Sequence, residues 1–188
     1  MYWNYYNLLE QDFINTLQYV ALDYDNFDCF SNEYIKLLEL ICSEAENILK
    51  CLCGKKSQNI KDYREKIIKI YPEIVNEQVY IAEIKKYKCI PFKEFENKNA
   101  PDWWKNYNFV KHNRLVNYKK ATQKNVLDSL AALFLLEQIL SSKIKSKNSI
   151  ILNSNFFYIE RKNNIFDSEV YMSTCTDEEL ERAIEESN

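Results

Sequence analysis

The chain of 188 residues contains one glycine, one histidine and three prolines. Tight turns and hairpins draw on Gly and Pro, so their scarcity argues for long helices and against a many-stranded sheet. A single glycine also excludes the glycine-rich loops of P-loop and Rossmann nucleotide sites. No apolar run approaches the ~20 residues of a membrane span. The N-terminus lacks the basic-then-apolar pattern of a secretory leader. None of the six cysteines forms a Cys-x-x-Cys pair. Cys51 and Cys53 fall in a helical pattern, where positions two apart point to different sides. With only one histidine, the usual zinc ligand sets and a disulfide framework are both disfavoured. The expectation is a cytoplasmic protein with reduced, mostly buried thiols, no metal and no cofactor.

What is present is unevenly charged. The net charge is −3, yet residues 55–147 hold twenty Lys and Arg against ten acids. Residues 1–54 hold two Lys against nine acids, and residues 148–188 three Lys and Arg against nine acids. A basic middle between acidic ends suits a polyanionic partner, RNA or a nucleotide; solvated helix faces give the same pattern.

The length allows one domain with an appendage. Apolar spacing predicts helices over Asn7–Leu22, from the N-cap Ser31 to Cys53, over Asn59–Tyr71, over Pro101–Arg114, and from Tyr118 or Thr122 to Ser142. Gly54 stands where a left-handed C-cap is wanted. The aromatic residues of 1–30 read as core. Residues 75–95 read as extended chain, with Pro91-Phe92 marking a turn. The helix ending near Ser142 is apolar over most of its circumference, as for the centre of a bundle or a helix that also meets a second subunit. After a basic linker, 149–159 and 165–172 alternate like a β-hairpin, and Thr176 opens a capping box for a short terminal helix. The division is therefore 1–147 for the helical bundle and 148–188 for the appendage.

The densest chemistry lies in Trp103-Trp104-Lys105-Asn106-Tyr107-Asn108-Phe109-Val110-Lys111-His112-Asn113-Arg114, which holds the only histidine and two of the three tryptophans. On a helix, Asn108 and His112 are four apart and share a face, flanked by Trp104 and Lys111. Tyr107, Lys111 and Arg114 form an overlapping ridge. Glu44 borders the apolar stripe of the helix after Ser31. A half-buried acid there should find a cation, either Lys111, His112 or Arg114, or a lysine on the bundle surface.

The run Tyr107-Asn108-x-x-x-His112 resembles the signature of HEPN domains, which reads Arg, a polar residue, three variable residues, then His. Asn108 matches the polar position and His112 the histidine; Tyr107 stands where the family has its arginine. A wider resemblance, over about residues 30–143, is to bacterial HEPN-like proteins. These carry an acidic helix like Cys42-Ser43-Glu44-Ala45-Glu46, a Pro-Phe pair, the Trp-Trp-x-x-Tyr-Asn-x-x-Lys-His-x-Arg element and a long Ala- and Leu-rich helix. The resemblance implies a mainly all-α, HEPN-like helical bundle with a small C-terminal β-hairpin. It also implies a metal-independent ribonuclease, acting as a toxin or phage-defence effector, with a composite site formed across a homodimer. An antitoxin or another defence-system protein would be a partner. The alternative is a catalytically inactive module that binds RNA, a nucleotide or a protein.

Metal-free RNA cleavage needs a base for the ribose 2′-hydroxyl, a cation for the phosphate and an acid for the leaving oxygen. An imidazole, which ordinarily titrates near pH ~6.5, can be base or acid, and His112 is the candidate. Lys111 and Arg114 can neutralise phosphate. Asn108 can donate to a phosphate oxygen or fix the His112 tautomer. Trp103 or Trp104 could stack a base; Tyr107 and Glu44 would complete the substrate contacts. A histidine among aromatics can equally be a buried structural residue.

Overall fold

The computed structural model describes residues 2–54, 59–82, 84, 87–143 and 153–160. Its helices are α1 (Tyr2–Thr16), α2 (Asn32–Cys53), α3 (Ile60–Ile70), α4 (Asp102–His112), α5 (Arg114–Asn117) and α6 (Gln123–Lys143). Three short strands, β1 (Val79–Ile81), β2 (Lys88–Cys89) and β3 (Phe157–Ile159), form an antiparallel sheet of order β2-β1-β3. The protein is thus mainly α with a small sheet.

α2 follows from local signals. The Ser31 hydroxyl accepts from the Tyr34 amide at 3.0 Å, which satisfies one orphan donor of the first turn. Leu38, Cys42, Ala45, Leu49 and Leu52 are all buried. Gly54 ends the helix with φ +81° and ψ 152°, a positive φ that favours glycine, although ψ lies outside the left-handed helical basin. Asn59 caps α3 by accepting from the Lys61 and Asp62 amides.

α1 differs from the sequence expectation at both ends. It begins at Tyr2 because Trp3 stacks on Tyr6 at 4.5 Å, and Tyr6, Leu9 and Phe13 already make a buried stripe. It stops at Thr16, whose hydroxyl donates to the Phe13 carbonyl at 2.6 Å, and the amides of Tyr19 and Val20 close a turn on the Thr16 carbonyl. The fully buried Gln123 side chain donates to the carbonyls of Val20 and Ala21 and to the Tyr34 hydroxyl.

α6 is the axis of the molecule. It packs on α1, α2, α4 and β2, and its apolar residues from Val126 to Leu140 are buried within a single chain. Its apolar circumference therefore calls for no second subunit, which removes that argument for a dimer. β3 pairs with β1, Tyr158 opposite Tyr80 and Phe157 opposite Ile81. Tyr80 and Tyr158 stack at 5.3 Å across the pair. The expected second arm at 165–172 and the terminal helix lie outside the described residues.

Candidate nucleic-acid interface

α4 is fastened by its aromatic side. The Trp103 indole donates to the Pro91 carbonyl at 2.7 Å. Trp103 meets Phe92 and Trp104 edge-on, and Trp104 meets Tyr63 and Tyr107 the same way. Trp103, Trp104, Tyr107 and Val110 are buried. Neither tryptophan offers a ring face to a base, so the stacking role considered for them does not fit this geometry. Both are anchors of the fold. Trp103→Phe, which keeps an aromatic ring but strands the buried Pro91 carbonyl, should cost about 1–3 kcal/mol in urea denaturation. An unchanged midpoint would mean that this hydrogen bond contributes nothing.

The opposite side of α4 carries Lys105, Asn108, Phe109 and His112. His112 is exposed and makes no hydrogen bond or ion pair among the described residues. It is therefore not a buried structural histidine. Asn108 shares its face but is occupied: its amide donates to the Trp104 carbonyl one turn back, at 2.9 Å. Lys111 lies over the Tyr107 ring, 5.1 Å from its centroid, and reaches Glu46 at 4.0 Å. Tyr107 first, with Glu46 adding, holds the Lys111 ammonium above the ordinary lysine value, so it stays charged at neutral pH.

Two expectations are corrected here. α4 ends at His112, because Asn113 leaves the helical region (φ −151°, ψ 73°) and the Asn117 side-chain amide donates to the carbonyls of Phe109 and Asn113. Arg114 opens α5 and is exposed, so it does not continue the Tyr107–Lys111 ridge. The acid that meets a site cation is Glu46, not Glu44. Glu44 accepts from Asn47 at 3.3 Å, and burial raises its carboxyl above the usual range. It faces Glu137 of α6 rather than α4. The two acids are 200° apart on the wheel of α2, and only the crossing of α2 with α4 selects between them.

The structure adds residues that the sequence reading passed over. Phe109 is 50% exposed, Phe30 44% and Tyr118 39%. Phe30 and Tyr118 meet edge-to-face at 5.6 Å. Lys119 lies over both rings, and the Lys120 ammonium sits 4.8 Å from the Phe109 centroid. Lys119, Lys120 and Arg114 have no carboxylate partner among the described residues. The Phe27–Phe30 loop is held here because Gln123 and Lys124 donate their amides to the carbonyls of Cys29 and Phe27. Phe30 looked like core because exposure of a loop aromatic is set by what covers it, which no local pattern encodes. The Tyr118-Lys119-Lys120 triplet did carry a signal, an aromatic beside two lysines at the end of a cationic stretch.

Among the described residues, no group of three or more His, Cys, Asp or Glu is placed to hold a metal ion. No helix there is long and apolar enough to cross a membrane. Comparison with protein-family models, with curated proteins and with solved structures returns no match. The class that the fold defines is a mainly helical domain with a three-stranded antiparallel sheet and an exposed cationic and aromatic face.

Proposed function

We propose that the face formed by α4, α5 and the segment 118–120 contacts single-stranded RNA. We further propose that His112 makes the protein a metal-independent, HEPN-like ribonuclease whose site is completed by a second copy of the chain. The observation that carries this reading is an exposed, unbonded imidazole beside unpaired cations and open aromatic rings. Stacking on such rings is worth about 1–3 kcal/mol per base, and unpaired cations track the phosphates. His112 would take the 2′-hydroxyl proton as the 2′-oxygen attacks phosphorus. The 5′-oxygen then leaves with a proton, and the products are a cyclic phosphate and a 5′-hydroxyl. One histidine per chain cannot be base and acid at once, so the second imidazole would come from the partner copy. Phe109, Leu115 and Val116, all largely exposed beside His112, are apolar surface suited to that pairing. The resemblance to HEPN domains supports a role as a toxin or phage-defence effector in the cytoplasm.

A second reading, RNA binding without cleavage, draws on two observations. Tyr107 is buried where the motif arginine would stand, and the Asn108 amide is committed to its own helix.

The test incubates the full chain with single-stranded RNA in EDTA across pH 6–8. His112→Ala should abolish cleavage with an unchanged circular dichroism spectrum. Lys119→Ala with Lys120→Ala should weaken binding and lower the salt slope by about 0.7 per lost phosphate contact. Binding without cleavage by the wild type would establish the second reading. Absence of binding at low salt would sink both. Light scattering at micromolar concentration should give a dimer, and a monomer that still cleaves would remove the two-copy site.

A further inference from the structure

On the other flank of α4, away from His112, lies an open cleft of about 380 Å³. Pocket volumes for small ligands begin near 300 Å³, so the space suits a mononucleotide-sized group. α4 contributes Asp102 and Asn106, the chain before it Glu94, α6 Asp128, and the segment 118–120 Lys119 and Lys120.

The charges in this cleft do not cancel locally. Asp102 is neutralised by Lys105 at 2.7 Å, and Asp128 by Lys124 at 2.6 Å. Glu94 has no cation within ion-pair distance among the described residues. Burial, then the neighbouring Asp102 and Asp128, raises its carboxyl above the usual range. Lys119 and Lys120 also lack a carboxylate, although they line the same cleft. Two carboxylates without a cation among the described residues, Glu94 and Asp28, and two lysines without a carboxylate share one concave site, which suits a ligand that brings hydrogen-bond donors and an anion together. Lys119 and Lys120 also belong to the aromatic face described above, so the cleft is continuous with the proposed RNA path.

We infer that this cleft binds a ribonucleotide whose base carries an exocyclic amine, with Lys119 and Lys120 on the phosphate and Glu94 on the amine. The inference rests on the RNA-contacting reading and names the base preference of that surface. Adenine, cytosine and guanine each present an amine; uracil presents none. A carboxylate accepting from a base amine is a known recognition pairing, and a good base contact discriminates by about tenfold or more. Asn106 and Asn125 add amide groups around the same space. The ligand could arrive as a free nucleotide or as one unit of a strand.

The experiment titrates the full chain by calorimetry with AMP, CMP, GMP and UMP, and by fluorescence anisotropy with labelled oligo-A, oligo-C and oligo-U. AMP, CMP and GMP should bind about tenfold tighter than UMP, and oligo-A and oligo-C tighter than oligo-U by a similar factor. Glu94→Ala, which removes the acceptor, should shrink that preference to less than about twofold, with an unchanged circular dichroism spectrum. Lys119→Ala with Lys120→Ala should weaken all four monophosphates alike. Preference in the oligonucleotides alone would assign the cleft to a strand, and preference in both would admit free nucleotides. Equal binding of all bases, or a preference that survives Glu94→Ala, would overturn the cleft while leaving RNA contact intact. No binding of any oligonucleotide would overturn the underlying reading instead.

Discussion

Glu137→Gln should raise the melting temperature at pH 8.5 and leave it nearly unchanged at pH 4.5. Glu137 sits on α6, 3% exposed, and its Oε1 has no hydrogen-bond partner among the described residues. Burial, with the Glu44 carboxylate adding, pushes its pKa up to about 8. In the unfolded chain a glutamate titrates near ~4.3. Between these values the native state holds a proton that the unfolded state has released. Stability is therefore highest below the unfolded value, falls as pH rises through the window, and levels off above about pH 8. The full span is at most on the order of 3–5 kcal/mol, because one pH unit of displacement corresponds to about 1.4 kcal/mol. Glutamine keeps the shape and cannot ionise, so it should recover most of that loss at alkaline pH. Glu44, raised in the same direction, adds to the slope. Denaturation curves for both proteins at pH 4.5 and 8.5 decide the matter. Two parallel pH profiles would show that Glu137 does not titrate in this window.

Glu10→Ala should release β3 from the helices. Glu10 is 3% exposed on α1 and joins three partners. The Tyr6 hydroxyl donates to it at 2.5 Å, the Ser154 hydroxyl donates to the same oxygen, and the Asn155 amide donates to the other at 3.2 Å. Ser154 in turn accepts from the amides of Phe156 and Phe157 at 3.0 and 2.7 Å. That turn aims Phe156 at Phe13 and Phe157 at Phe134, ring centroids 5.6 and 5.8 Å apart. Truncating Glu10 strands a buried hydroxyl and a backbone donor together, at a cost of about 3 kcal/mol. Amide exchange at Phe157 and Ile159 should speed up well before that of α2 or α6. Glu10→Gln, which keeps one acceptor but turns an amide toward a donor, should lie between. Uniform exchange changes across the whole protein would mean that β3 unfolds only with the core.

Much of the helical frame was legible because its determinants are local. Ser31 and Asn59 act on amides two and three residues away, Pro72 stops α3, and the stripe from Leu38 to Leu52 repeats at the helical period. The face shared by Asn108 and His112 was legible for the same reason. Errors arose where a distant group intervened. The Gln123 side chain fixes the loop after α1 through the Val20 and Ala21 carbonyls, and Asn117 closed α4 ahead of Arg114.

The sequence by itself determined a mainly helical chain, the position of its longest helices and the concentration of cationic residues in its middle. Periodicity and capping act within a turn or two of the chain, and charge order needs no fold at all. Tertiary structure alone decided that Trp103 and Trp104 are buried anchors while Phe30, Phe109 and Tyr118 remain open. It also decided that Glu46 meets Lys111 while Glu44 turns to Glu137, and that β3 finds its partner in β1. Each of these outcomes depends on which surfaces the packing of α2, α4 and α6 brings together, and residues that are chemically alike in sequence become unlike only when one of them is covered.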